Sequence, residues 1–126
     1  QESSPIILIR AAIENDTQWP HFVEQVAIPL LKDTEHVDLS LLLKMLGDKG
    51  INDVLIESGH TLAGAFIELN LVNELILYQA PKLMGAEGKG LMVMPSITNL
   101  KQAKELQIND VRMVGRDMRI TAKILA

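Results

Sequence analysis

The 126-residue sequence contains no cysteine. A disulfide scaffold, a thiolate nucleophile and a cysteine-ligated metal are therefore excluded, and the composition fits a reducing, cytoplasmic setting. No apolar run approaches the roughly 18 residues of a membrane-spanning helix, and the basic-then-apolar pattern of a signal peptide is missing. Positive charge is scarce too: 12 Lys and Arg stand against 16 Asp and Glu, a formal net charge of −4, and the cations are scattered. A nucleic-acid partner is disfavoured, because a phosphate-backbone binder presents a basic face. Small anions are not, since one helix terminus suffices to hold them. Internal repeats and low-complexity tracts are absent.

What remains is a chain with 48% apolar residues, enough for one sizeable core and hardly for two, so residues 1–126 are expected to form a single α/β domain. The opening Gln1-Glu2-Ser3-Ser4-Pro5 runs at once into the apolar Ile6-Ile7-Leu8-Ile9, which reads as a segment of a longer polypeptide. Residues 5–10 are expected as a strand in a sheet interior. Residues 11–25 read as a loop around Asn15-Asp16-Thr17, with room for a short helix. An edge strand is expected over 26–31, with Pro29 removing one ladder donor. Leu39, Leu42, Leu43 and Leu46 recur at helical spacing, so a helix is expected over 38–49, with Asp38 or Ser40 near its start and Gly50 as its stop. A strand over 52–57, a helix over 60–69 and a strand over 74–80 then make a β-α-β unit with parallel strands. Residues 81–95 read as loop, and 105–114 with 118–125 as an antiparallel hairpin across Gly115-Arg116-Asp117. The sheet is accordingly expected to be mixed.

The chemistry concentrates at Val54-Leu55-Ile56-Glu57-Ser58-Gly59-His60-Thr61-Leu62-Ala63-Gly64-Ala65. An apolar run ends in a carboxylate, passes a small flexible pair and opens directly into a helix. Free N–H groups and the positive end of the helix dipole converge there and favour an anion. One reading is structural: Ser58 caps the helix and Gly59 relieves strain. The other is a ligand corner, in which Glu57 contacts a hydroxyl, amine or ring N–H of the same ligand. The residues alone leave both open. Glu57 and His60 have a Glu-x-x-His spacing, but the strand-to-helix change separates their directions and no second copy exists, so no metal site is expected. Gly85-Ala86-Glu87-Gly88-Lys89-Gly90 lacks the spacing of a nucleotide-phosphate loop and reads as a surface loop. Arg112, Arg116, Asp117 and Arg119 read as a solvated hairpin end, and His21 and His36 as surface residues.

The Val54 to Ala65 run, followed by Leu71-Val72-Asn73-Glu74-Leu75 and Ala80-Pro81-Lys82-Leu83-Met84-Gly85, resembles the reductase domain of the bacterial bifunctional riboflavin-biosynthesis deaminase/reductase. Leu39 to Gly50 and Asp110-Val111 with Gly115-Arg116-Asp117-Met118-Arg119 fit the same pattern, so the likeness covers most of residues 38–125. It implies a dihydrofolate-reductase-like fold, a mixed sheet flanked by helices, with its N-terminal portion missing. It implies NADPH as hydride donor and reduction of 5-amino-6-(5-phosphoribosylamino)uracil, a pyrimidine ribosyl phosphate, to the ribityl compound. Glu57 would then contact substrate, and the backbone from Gly59 through His60, Thr61, Leu62, Ala63 and Gly64 to Ala65 would lie against the cofactor. The family's usual Glu-Gly-Gly-Pro-Thr-Leu is here Glu-Ser-Gly-His-Thr-Leu, so Ser58 and His60 are departures. The family's Ser-x-Asp-Gly-type motif and its zinc deaminase domain have no counterpart in this sequence. Two alternatives stand beside the enzyme reading: a non-catalytic folding or dimerisation fragment, whose unpaired sheet edge seeks a second copy, and a reductase of another pterin-like substrate.

Overall fold

The structure is a computed structural model describing residues 4–15 and 17–125. Asp16, one of the turn formers named above, lies outside them. Two compact units divide the chain, residues 1–54 and 55–126.

In the first unit, strand β1 (Ile6–Arg10) pairs in parallel with β2 (Val23–Ala27), Ile6 beside Val23 and Arg10 beside Ala27. β1 is therefore half of a two-stranded ribbon, not an interior strand. β2 lies three residues before the expected 26–31, because Val23 to Ala27 carries every ladder donor whereas Pro29 lacks one. Leu30 and Val37 form only an isolated antiparallel bridge. Helix α1 (Leu39–Asp48) starts where Asp38 accepts hydrogen bonds from the N–H groups of Ser40 and Leu41 at 2.9 and 3.0 Å. Its end is a full Schellman closure. Gly50, at φ 84°, donates to the Gly47 carbonyl, and Ile51 donates to that of Leu46. Lys49 at this end reaches Glu24 of β2 at 2.8 Å. Ile28 and Leu39 are buried. Removal of the Asp38 carboxylate leaves two N–H groups without their acceptor, so Asp38→Ala should cost about 1 kcal/mol in urea unfolding, with helix loss followed by far-ultraviolet dichroism.

The second unit contains helix α2 (His60–Glu68), strands β3 (Glu74–Gln79), β4 (Leu106–Val114) and β5 (Asp117–Ile124), and one 3-10 turn at Leu100–Gln102. The strand order is β3-β5-β4, antiparallel throughout. Parallel and antiparallel pairing thus both occur, in separate sheets. The expected hairpin is present, turning on Gly115 at φ 61° with Arg116. The expected strand over 52–57 is not formed: the segment is irregular and Leu55 is 77% exposed. An extended segment becomes a strand only when a neighbour takes its N–H and C=O groups, and no described residue pairs with this one. The parallel β-α-β unit around α2 is therefore absent, and β3 instead runs antiparallel to β5, Glu74 opposite Lys123 and Gln79 opposite Met118. Phe66, Ile67 and Ala122 are buried. Among the described residues no helix is long and apolar enough to cross a membrane.

Candidate functional site

Glu57, Ser58 and Gly59 lie on the exposed approach to α2. Gly59 is the N-cap residue and supplies no side-chain acceptor. The Ser58 hydroxyl donates to the Gly59 carbonyl at 3.4 Å and does not cap the helix, contrary to the structural reading of this turn. The first N–H groups of α2, those of His60, Thr61 and Leu62, consequently lack a capping side chain, which is the electrostatic condition for anion binding. A Cβ built on Gly59 would meet nothing within 4 Å, so the space over this corner is open. His60 Nδ1 and Thr61 Oγ1 are 3.1 Å apart, one partner holding the other's orientation at the helix mouth.

The opposite end of α2 is closed by a second Schellman motif that the sequence pattern did not reveal. Asn70, at φ 57°, donates to Ile67 and Leu71 donates to Phe66, each at 3.0 Å. Asn tolerates this left-handed conformation better than other non-glycine residues. Lys104 Nζ donates to Asn70 Oδ1 at 2.6 Å, setting a cation at the negative end of the helix.

A strap formed by residues 91–97 fixes α2 along its length. Val93 N–H donates to the His60 carbonyl at 3.0 Å, and Ser96 gives both its N–H and its hydroxyl to Glu68 Oε1. Gly64 is buried against the Val93 carbonyl, which a Cβ at that position would overlap. The strap contacts were invisible in the sequence because 81–95 has neither strand nor helix periodicity. Gly64, flanked by alanines within a helix, was the only signal of a close backbone approach. Beneath the strap, Ile67, Leu75, Leu91, Met94, Ile97 and Ile124 are among the residues lining an apolar cavity of about 220 Å³. It is a half-open apolar cleft of the second unit, and Lys104 is the one charged residue lining it.

The structure therefore brings Glu57 and the Gly59, His60, Thr61, Leu62 corner together at one end of α2. Ala63 and Ala65 are half-buried in the helix body, and Gly64 faces the strap. No group of three or more His, Asp and Glu side chains able to hold a metal occurs among the described residues.

Comparison with known proteins follows this geometry. The family model of the RibD C-terminal domain matches residues 1–120. The riboflavin biosynthesis protein RibD of Escherichia coli is 40% identical over 105 residues, covering 83% of this chain and 28% of its own length. The 5-amino-6-(5-phosphoribosylamino)uracil reductase of Buchnera aphidicola is 33% identical over 103 residues, 81% of this chain and 48% of that protein. The chain thus spans less than half the length of either relative. Among solved structures, the Saccharomyces cerevisiae riboflavin biosynthesis reductase Rib7 superposes with a TM-score of 0.78 at 19% identity, over 98% of this chain and 57% of that one. That likeness shows the fold, which is of the dihydrofolate-reductase-like class.

Proposed function

Because the chain belongs to the RibD C-terminal domain family, we propose that it forms one wall of a pyrimidine reductase site in riboflavin biosynthesis. The reaction is the NADPH-dependent reduction of the ribosyl group of 5-amino-6-(5-phosphoribosylamino)uracil to ribityl. The bound nicotinamide supplies the hydride; the protein's task is to hold donor and acceptor carbons together and keep competing reactions out. The observation that carries this reading is the uncapped mouth of α2 below an open Gly59. Its N–H groups and dipole suit a dinucleotide phosphate. Gly59, His60, Thr61 and Leu62 form that contact surface. Ala63, Gly64 and Ala65 support it from the helix body, Gly64 through the strap. Glu57 accepts hydrogen bonds from substrate hydroxyl or N–H groups. The setting is cytoplasmic, as for a biosynthetic enzyme acting on a soluble phosphorylated substrate.

Titration of NADPH into the 126-residue chain, followed by cofactor fluorescence, tests the corner. A saturable signal with a micromolar dissociation constant, weakened by added pyrophosphate, is expected. An unchanged signal up to millimolar NADPH would overturn the assignment and favour the fragment as a folding or assembly module.

A further inference from the structure

Residues directly opposite each other in an antiparallel sheet share a face, so the registers of β3, β5 and β4 sort their side chains into two sets. Leu75, Ile124 and Leu106 lie on one face, where they line the apolar cleft with Ile67 of α2. The other face is turned away from that cleft. It carries Ile76 and Tyr78 of β3, Arg119 and Thr121 of β5, and Asp110 and Arg112 of β4.

The polar groups of this second face are not satisfied among themselves. Arg119 stands between Tyr78 on one neighbouring strand and Arg112 on the other, directly opposite both. Like charges in that relation repel. Asp110 offsets only one of them, its Oδ2 lying 2.8 Å from Arg112 Nε. Arg119 is half-buried and makes no ion pair with a described residue, and its Nε is buried without a hydrogen-bond partner. Beside it on the same strand, Thr121 is only 9% exposed, and its Oγ1 has no partner either. A guanidinium keeps its charge, so one drawn out of water without a counter-charge is costly, and buried donors without acceptors add to that cost. The reading of these arginines as a solvated hairpin end therefore holds for Arg112, whose side chain is 58% exposed, and not for Arg119.

We propose that this face binds a phosphate group between Arg119 and Arg112. The Arg119 guanidinium donates from β5, Arg112 from β4 and the Tyr78 hydroxyl from β3, while Thr121 lies beside Arg119 to take up a further oxygen. A planar carboxylate is satisfied by a single guanidinium fork, whereas donors converging from three strands suit a tetrahedral oxyanion. The bound charge offsets the repulsion between the two arginines and supplies the acceptor that Arg119 lacks. Tyr78 and Ile76 are 54% and 40% exposed, so the approach to the face is open. The site lies across the sheet from the α2 cleft and does not rest on the reductase reading.

Inorganic phosphate is the probe, titrated at constant ionic strength into the nitrogen-15-labelled 126-residue chain. The Arg119 Nε–H resonance should move saturably, with a dissociation constant on the order of 1 mM. About 20 mM phosphate should raise the thermal midpoint by about 3 °C or more over chloride of equal ionic strength. R119Q should abolish that rise. Because it removes an unpaired, half-buried charge, it should melt no lower than the parent without phosphate, which separates lost binding from lost folding. R119K keeps the charge but not the fork, and should weaken binding about fivefold or more. Glycerol phosphate distinguishes the sources of the group: about tenfold tighter binding than inorganic phosphate assigns a phosphate ester, and equal binding assigns the free ion, at the same site in either case. An Arg119 Nε–H signal unmoved at about 50 mM phosphate, an equal effect of chloride, or a thermal rise that survives in R119Q would each overturn the proposal.

Discussion

Gly64→Ala should destabilise the unit of residues 55–126 by about 2 kcal/mol or more, although alanine is the better helix former by about 1 kcal/mol. The two effects have opposite signs, and magnitude decides between them. The added Cβ meets the Val93 carbonyl oxygen, carbon and nitrogen. Backbone atoms cannot rotate away as a side-chain end can, so either α2 or the strap must shift. A shift strains the bond from Val93 N–H to the His60 carbonyl and the two bonds from Ser96 to Glu68. Urea unfolding followed by dichroism gives the outcome. A lower midpoint with an unchanged slope is expected, and a raised midpoint, as helix propensity alone dictates, would show that the strap does not hold α2. Gly59→Ala is the internal contrast. Its Cβ meets nothing within 4 Å, so its cost should be confined to alanine's poorer fit at the N-cap, about 1 kcal/mol or less.

Glu57→Gln, made in a full-length reductase carrying this segment, should reduce turnover of the pyrimidine substrate by about 10- to 100-fold while leaving NADPH affinity within about twofold. The amide keeps the shape of the carboxylate but loses its charge and replaces one acceptor by a donor. In the proposed site, contacts to a substrate hydroxyl or N–H would be lost, whereas cofactor phosphates would rest on backbone N–H groups that the substitution does not touch. Glu57 is exposed and has no hydrogen bond or ion pair to another described residue, so no structural partner is sacrificed. Steady-state kinetics with a separate cofactor titration divides the two effects. Wild-type turnover would remove Glu57 from the substrate contact, and parallel loss of turnover and NADPH binding would reassign it to the cofactor.

Local chemistry was legible wherever it acts over one or two turns of chain. Asp38 and Gly50 bounded α1, the Gly59 to His60 step opened α2, and Gly115-Arg116 closed the hairpin. The candidate corner was legible for the same reason, since a helix start carries its N–H groups and dipole wherever it lies. Of the two readings left open at this turn, capping by Ser58 is not formed: a hydroxyl can cap, but the hydroxyl here turns to the Gly59 carbonyl.

Strand partnership, by contrast, was decided only by tertiary structure. The run Val54-Leu55-Ile56 has the composition of a buried strand, yet a strand exists only through a neighbour's hydrogen bonds, and composition does not name the neighbour. β3 illustrates the same point, having been read as parallel to 52–57 and found antiparallel to β5. The strap on α2 was equally hidden, because backbone approach at Gly64 joins residues 29 positions apart with no periodic signal in the intervening loop. By itself the sequence determined where α1 begins and ends, where α2 begins, and the family likeness, the helix limits resting on short-range steric and dipolar preferences. The tertiary structure alone decided which edges are paired, which faces are covered and what holds α2 in place, because those depend on long-range contacts.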